Sequence, residues 1–274
     1  KWEFPRERLT MLKQIGESNY CKTWLAAITG KEKKHLKYVA VKVLKDNGTD
    51  DDAQRFLDDL KVMMKFKFHE NIIQLIGCCT TSYPTSSIVE YVDGGPRTLL
   101  HVLQKQSQNP ANMWLTTKVI LSFLLQIASA MQYACSLQCI HRCLCCQKIF
   151  VTSDLICKLG DFDLCEHFQS RNSEKSVNTP IRWLPPESLF VLERSMKSNV
   201  WSYGVLMWEC FTLGGRPYSD LNDREVVEFV QRGGRLNKPS LCSSDIFETM
   251  QDCWVYYPTK RPNFEMLKSK MNKF

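Results

Sequence analysis

The chain has 274 residues, 44% of them apolar and 24% charged. That length can bury roughly three quarters of the unfolded surface, and the composition excludes a disordered chain. Lys and Arg number 36 against 29 Asp and Glu, a net charge of +7, but the excess is spread along the chain and leaves no nucleic-acid footprint. Thirteen cysteines in 274 residues fall below the ~8–10% of a disulfide scaffold. Their odd number and the absence of a signal peptide point to free thiols in a reducing compartment. No run of ~20 apolar residues occurs, so membrane contact is expected only through a segment outside this chain. The start at Lys1 rather than Met reads as part of something longer.

Tyr38–Leu44 is β-branched and alternating, which predicts a strand. Ala53–Phe66 carries Phe56, Leu60, Met63 and Met64 at helical spacing. The Asp50-Asp51-Asp52 run before it suits a helix N-terminus, where backbone N–H groups lack partners. It does not have the spacing of a calcium loop. Ile88–Val92 predicts a second strand, and Asp93-Gly94-Gly95-Pro96 breaks regular structure. Helices are then predicted over Thr116–Ser136, Lys197–Leu213, Arg224–Arg232, Ser244–Trp254 and Pro262–Lys273. Val119–Ala134 and Val200–Leu213 read as buried, since Ser122, Gln126, Ser129 and Glu209 interrupt them. The expected organisation is α+β: a β-rich lobe over 1–92, a hinge over 93–95 and a helical lobe over 96–274.

Several short motifs occur in a telling order. Val39-Ala40-Val41-Lys42 lies on a predicted strand, and His141-Arg142-Cys143-Leu144 follows a long helix. Asp161-Phe162-Asp163, Pro185-Pro186-Glu187, Val200-Trp201-Ser202-Tyr203-Gly204, Cys253-Trp254 and Arg261-Pro262 follow in turn. Together they resemble a protein kinase domain running over essentially the whole chain. Trp2-Glu3-Phe4-Pro5-Arg6, His69-Glu70-Asn71-Ile72-Ile73 and Val205-Leu206-Met207-Trp208-Glu209 narrow this to receptor tyrosine kinases of the fibroblast growth factor receptor group. The implied fold is two-lobed, a five-strand sheet with one helix and then a helical lobe.

The resemblance also implies where the chemistry should lie, and this sequence departs from it. Cys143 stands where the family has the Asp that takes the substrate's proton, and a thiol of pKa ~8.5 holds no charge at pH 7 unless activated. Loss of a general base costs on the order of 10²–10⁴ in rate. Lys148 stands at the position of a Mg²⁺-binding Asn, and an ammonium has donors only. The glycine-rich phosphate loop is reduced to Gly16, Ser18 and Cys21. Thr23 replaces the valine over the adenine, and Phe150 stands where a leucine lies beneath it, so its ring is expected to fill the base pocket. Ala40, Val89, Glu90 and Tyr91 complete the degenerate nucleotide site.

Lys42 matches the phosphate-holding lysine, and Asp59 its helix partner, one methylene shorter than the usual Glu. Asp161 matches the metal-binding aspartate but is expected to pair with Lys42 or Lys148 instead. The segment Asp161–Trp183 contains no tyrosine; Ser170, Ser173, Ser176 and Thr179 remain as acceptors for another enzyme. Asn199 replaces a helix Asp that receives the catalytic loop's N–H groups. His141, Arg142, Phe162, Glu187 and Arg261 match structural positions: Met63, His141 and Phe162 a stack, Glu187 and Arg261 a buried ion pair.

Cys143 and Cys146 form a lone Cys-x-x-Cys, with Cys139 and Cys157 nearby, and small buried thiols outweigh zinc or a redox sensor there. His69, His101 and His167 are expected to serve packing or solvent. The implied function is a catalytically inactive tyrosine-kinase-like domain, a signalling scaffold or allosteric partner on the cytoplasmic side of a plasma-membrane receptor. Its partners would be other kinases or signalling proteins, including a receptor dimer, with no metal and with ATP weakly bound without Mg²⁺ or not at all. The alternatives are a low-activity kinase and a metal-independent ATP switch.

Overall fold

The β-branched and aromatic residues of the first ninety positions pair into one antiparallel sheet. The computed structural model describes residues 2–18, 20–29, 36–92, 97–111, 113–160, 166–167, 181–191, 193 and 195–274. The chain divides into two units, Lys1–Pro96 and Arg97–Phe274.

In the first unit, β1 (Leu9–Glu17), β2 (Cys21–Thr29), β3 (Leu36–Leu44), β4 (Leu75–Cys79) and β5 (Ser86–Glu90) form a sheet in the order β1-β2-β3-β5-β4. Alternation sends Ala26, Ile28, Val39, Val41 and Ile88 into a core that Phe4, Leu9 and Val43 close. The single helix, α1 (Asp50–Met63), buries Phe56, Leu60 and Val62. It starts three residues before the predicted Ala53 because Thr49 caps it. The Thr49 hydroxyl accepts from the Asp52 N–H at 3.2 Å, and the Asp52 carboxylate accepts from the Thr49 N–H at 3.0 Å. The acidic run is thus its first turn, as its charge predicted.

Ahead of β1, the Trp2–Phe4 segment lies along the β4 edge. The Phe4 N–H donates to the Cys78 carbonyl at 2.7 Å and the Cys78 N–H to that of Trp2 at 2.8 Å. Glu3 there accepts from the N–H and hydroxyl groups of Thr80 and Thr81, which drop its pKa to about 2. Gly77 allows the approach: a Cβ on it would meet the Trp2 carbonyl at 3.0 Å. A sheet edge is covered in this way rather than left open.

The second unit is helical: α2 (Leu99–Ser107), α3 (Thr117–Ser136), α4 (Pro186–Phe190), α5 (Met196–Phe211), α6 (Asp223–Gln231), α7 (Ser244–Cys253) and α8 (Phe264–Met271). Short strands β6 (Cys139–Ile140) and β9 (Glu166–His167) pair with each other, as do β7 (Ile149–Val151) and β8 (Cys157–Leu159). Thr98, Thr116, Ser195, Asn222, Ser243 and Asn263 each accept a first-turn N–H, so side-chain caps fix where those helices begin. Asn263 moves the last start from the predicted Pro262 to Phe264. The sequence reading passed over α2, a nine-residue helix with Leu99, Val102 and Leu103 buried.

By length and composition α3 is apolar enough to cross a membrane. Within the unit it buries nine residues, Ile120 to Ala134, and its Leu124 carbonyl accepts from the Tyr203 hydroxyl of α5 at 2.9 Å. Those are the contacts of a core helix. In α5, thirteen residues are buried, from Ser198 to Phe211. Every described cysteine is a free thiol, and all but Cys135 are buried.

Candidate functional site

The first unit places Gly16, Thr23 and Lys42 side by side across three strands, since Gly16 pairs with Thr23 and Thr23 with Lys42. Ala40 pairs with Val89, and Val39 with Glu90, one residue before Tyr91. Directly opposed residues share a sheet face, so Thr23 and Lys42 project on one side. The β1–β2 turn closes on itself. The Ser18 N–H donates to the Cys21 carbonyl at 2.8 Å, and the Cys21 N–H to the Ser18 hydroxyl at 3.1 Å. A Cβ on Gly16 would touch only Thr23, at an ordinary 3.6 Å, so the surviving glycine is not required by space. Asp59 on α1 accepts from the Tyr20 hydroxyl at 3.2 Å. Tyr20 is a contact that sequence reasoning missed; its place inside the glycine-loop pattern was the available signal.

In the second unit, Cys143 is buried at 6% exposure, and its N–H donates to the His141 carbonyl in a tight turn. The Cys145 thiol hydrogen-bonds to that of Cys143, which with burial raises Cys145 well above the ordinary thiol value. Burial does the same to Cys146, whose sulfur lies 3.8 Å from that of Cys210. Such thiols are small packing groups rather than nucleophiles. No group of three or more His, Cys, Asp or Glu able to hold a metal occurs among the described residues. Lys148 ends a short 3-10 turn (Cys146–Lys148) and is half-buried; its carbonyl accepts from the Gly160 N–H at 3.1 Å. Phe150 lies on β7 opposite Lys158 and bridges to Thr98.

Around this loop is a frame of buried polar bonds. His141 is 1% exposed, with Nε2 3.0 Å from the Gly160 carbonyl. Half-buried Arg142 precedes Cys143. Glu209 on α5 accepts from the Cys146 N–H at 3.1 Å and from the Trp183 indole N–H at 2.9 Å. Burial drives its carboxyl up to about 7. Asn199 is buried, and its Nδ2 has no partner among the described residues. Glu187 and Arg261 form a bidentate pair at 2.6 and 2.8 Å. The guanidinium groups of Arg235 and Arg261 both lie over the Trp201 ring, at 4.6 and 5.1 Å from its centroid. Arg182 donates to the carbonyls of Pro217, Tyr218 and Leu221 and pairs with Asp223 at 3.0 Å.

Arg182 and Trp183 escaped the sequence reading, and Glu209 entered it only as a charge in an apolar run. A lone carboxylate in such a run is itself the signal of a buried polar tie. Asp161, Phe162, Asp163, the hinge over 93–95 with Pro96 after it, Ser170, Ser173, Ser176 and Thr179 lie outside the described residues.

The family model described as protein tyrosine and serine/threonine kinase matches residues 9–271. The match spans the sheet, α1 and the helical unit through α8, so the chain belongs to the protein tyrosine and serine/threonine kinase family.

Proposed function

We propose that this kinase domain is catalytically inactive and works as a signalling scaffold or allosteric partner. The observation that carries the reading is the pairing of Cys143 with Lys148 in the loop where the family keeps its proton acceptor and a metal ligand. Phosphoryl transfer rests on positioning and charge neutralisation, so two such changes remove what the fold otherwise arranges. A cysteine thiol, unlike a carboxylate, ordinarily carries its own proton at neutral pH, so Cys143 offers no standing base where the family has an aspartate. An ammonium repels Mg²⁺ where an amide would bind it. The self-bonded β1–β2 turn supports absent or weak nucleotide binding. The buried ties of the second unit support a surface kept for shape. By resemblance the chain is the cytoplasmic part of a membrane receptor of the fibroblast growth factor receptor type, working beside an active kinase.

The test is phosphate transfer. Purified chain with Mg-ATP and a tyrosine-containing peptide is expected to give no incorporation. Turnover by the unaltered chain that is unchanged in Cys143→Asp would overturn the reading. A thermal shift with ATP that requires Mg²⁺ would favour a low-activity kinase instead; a shift without Mg²⁺, a nucleotide switch.

A further inference from the structure

The β1–β2 turn is held from four sides, all within the first unit. Its own backbone closes it through Ser18 and Cys21. The Lys45 N–H, just past β3, donates to the Tyr20 carbonyl at 2.9 Å. The Lys45 ammonium pairs with Glu17 at 2.6 Å, and Gln14 donates to the same carboxylate at 2.9 Å. Tyr20 then reaches α1 through its hydroxyl bond to Asp59. Cys21, the first residue of β2, is buried at 5% exposure, and Tyr20 before it is half-buried.

A loop that binds phosphate offers free backbone N–H groups to the anion. Here the N–H groups of Ser18 and Cys21 already have acceptors inside the turn. Asp59 places a carboxylate beneath Tyr20, on the helix that the family uses to steady the phosphate-binding lysine. A triphosphate would meet those two N–H groups already engaged, beside a tyrosine tied to the helix carboxylate.

We propose that this turn is an intramolecular plug: Tyr20, anchored on Asp59, and the closed Ser18–Cys21 turn keep nucleotide phosphates off the first unit. The chain itself thus holds the turn and α1 together, with no nucleotide needed. This inference rests on the inactive-kinase reading, and it assigns weak nucleotide binding to a specific contact.

Two measurements test it. In hydrogen exchange, Tyr20→Phe keeps the ring and loses the hydroxyl, and amides of residues 17–22 are expected to exchange at least tenfold faster. In equilibrium titration with ATP, Mg²⁺-free, Tyr20→Ala is expected to bind at least fivefold more tightly than the unaltered chain. Adding Ser18→Gly and Cys21→Gly should increase the gain. Unchanged exchange in Tyr20→Phe, or unchanged ATP affinity in both Tyr20→Ala and the triple variant, overturns the plug. Peptide phosphorylation by the unaltered chain would instead overturn the inactive-kinase reading, so the two failures are separate. Circular dichroism of each variant confirms that it is folded before titration.

Discussion

Arg261 donates all five of its guanidinium N–H groups. Nε donates to the Val255 carbonyl at 2.8 Å, Nη1 to Glu187 and the Lys197 carbonyl, and Nη2 to Glu187 and the Tyr256 carbonyl. No other side chain has that fork, so a lysine cannot replace it. Arg261→Ala is expected to cost about 3–5 kcal/mol, since it strands the Glu187 carboxylate and three carbonyls. Arg261→Lys should lose most of the same amount. Urea midpoints measure both, and an unchanged midpoint for Arg261→Lys would contradict the role assigned to the fork.

Glu209 gives a pH dependence at the same scale. Its carboxyl is raised from 4.5 to about 7 by burial, against the pull of the Trp183 and Cys146 donors. A carboxyl that holds its proton more tightly when folded makes the folded state bind more protons between those values. Stability from this group is therefore greatest below pH 4.5 and falls as pH rises through about 7. The span corresponds to about 3 kcal/mol. Glu209→Gln keeps an acceptor and cannot titrate, so its denaturation midpoint should lose this slope between pH 5 and 7 relative to the unaltered chain.

At the scale of elements, the junction of α5 with the end of α7 is set by one missing methyl. A Cβ on Gly204 would lie 2.7 Å from the Cys253 Cβ and from Trp254 Nε1. The helix accepts the glycine although it costs ~0.5–1 kcal/mol against alanine in an ordinary helix interior. Gly204→Ala should therefore destabilise by about 1–3 kcal/mol despite its better helix propensity, because overpacking outweighs propensity here. Thermal unfolding followed by tryptophan fluorescence reads the change. A stabilised variant would show that α7 moves aside freely.

For the molecule as a whole, stability comes from packing and buried polar bonds, with every described cysteine unbridged. Most of these thiols are raised by burial, Cys135 to about 12 and Cys242 to about 11. Added reductant is accordingly expected to leave the melting temperature unchanged within error. A drop of several degrees on reduction would reveal a stabilising cross-link.

The motif order in the sequence identified the architecture, because Val39–Lys42, Pro185–Glu187 and Arg261 mark sites that one fold requires together. Periodicity located the long elements, α1, α3 and α5, since each must bury an apolar stripe. It passed over α2, whose apolar residues Leu99, Leu100, Val102 and Leu103 all fall in its first half and leave no apolar repeat over the second. The helix starts at Asp50 and Phe264 were decided by caps, which depend on one side chain's geometry rather than on a pattern. The sequence alone also determined which residue types stand in the catalytic loop, because chemistry is a property of composition at a position. Only tertiary structure decided that Tyr20 meets Asp59, that Glu209 joins Cys146 to Trp183, and that two arginines meet the Trp201 ring. Those partners are separated by 26 to 63 residues in sequence, and a contact between distant residues is created by the packing of the elements that carry them.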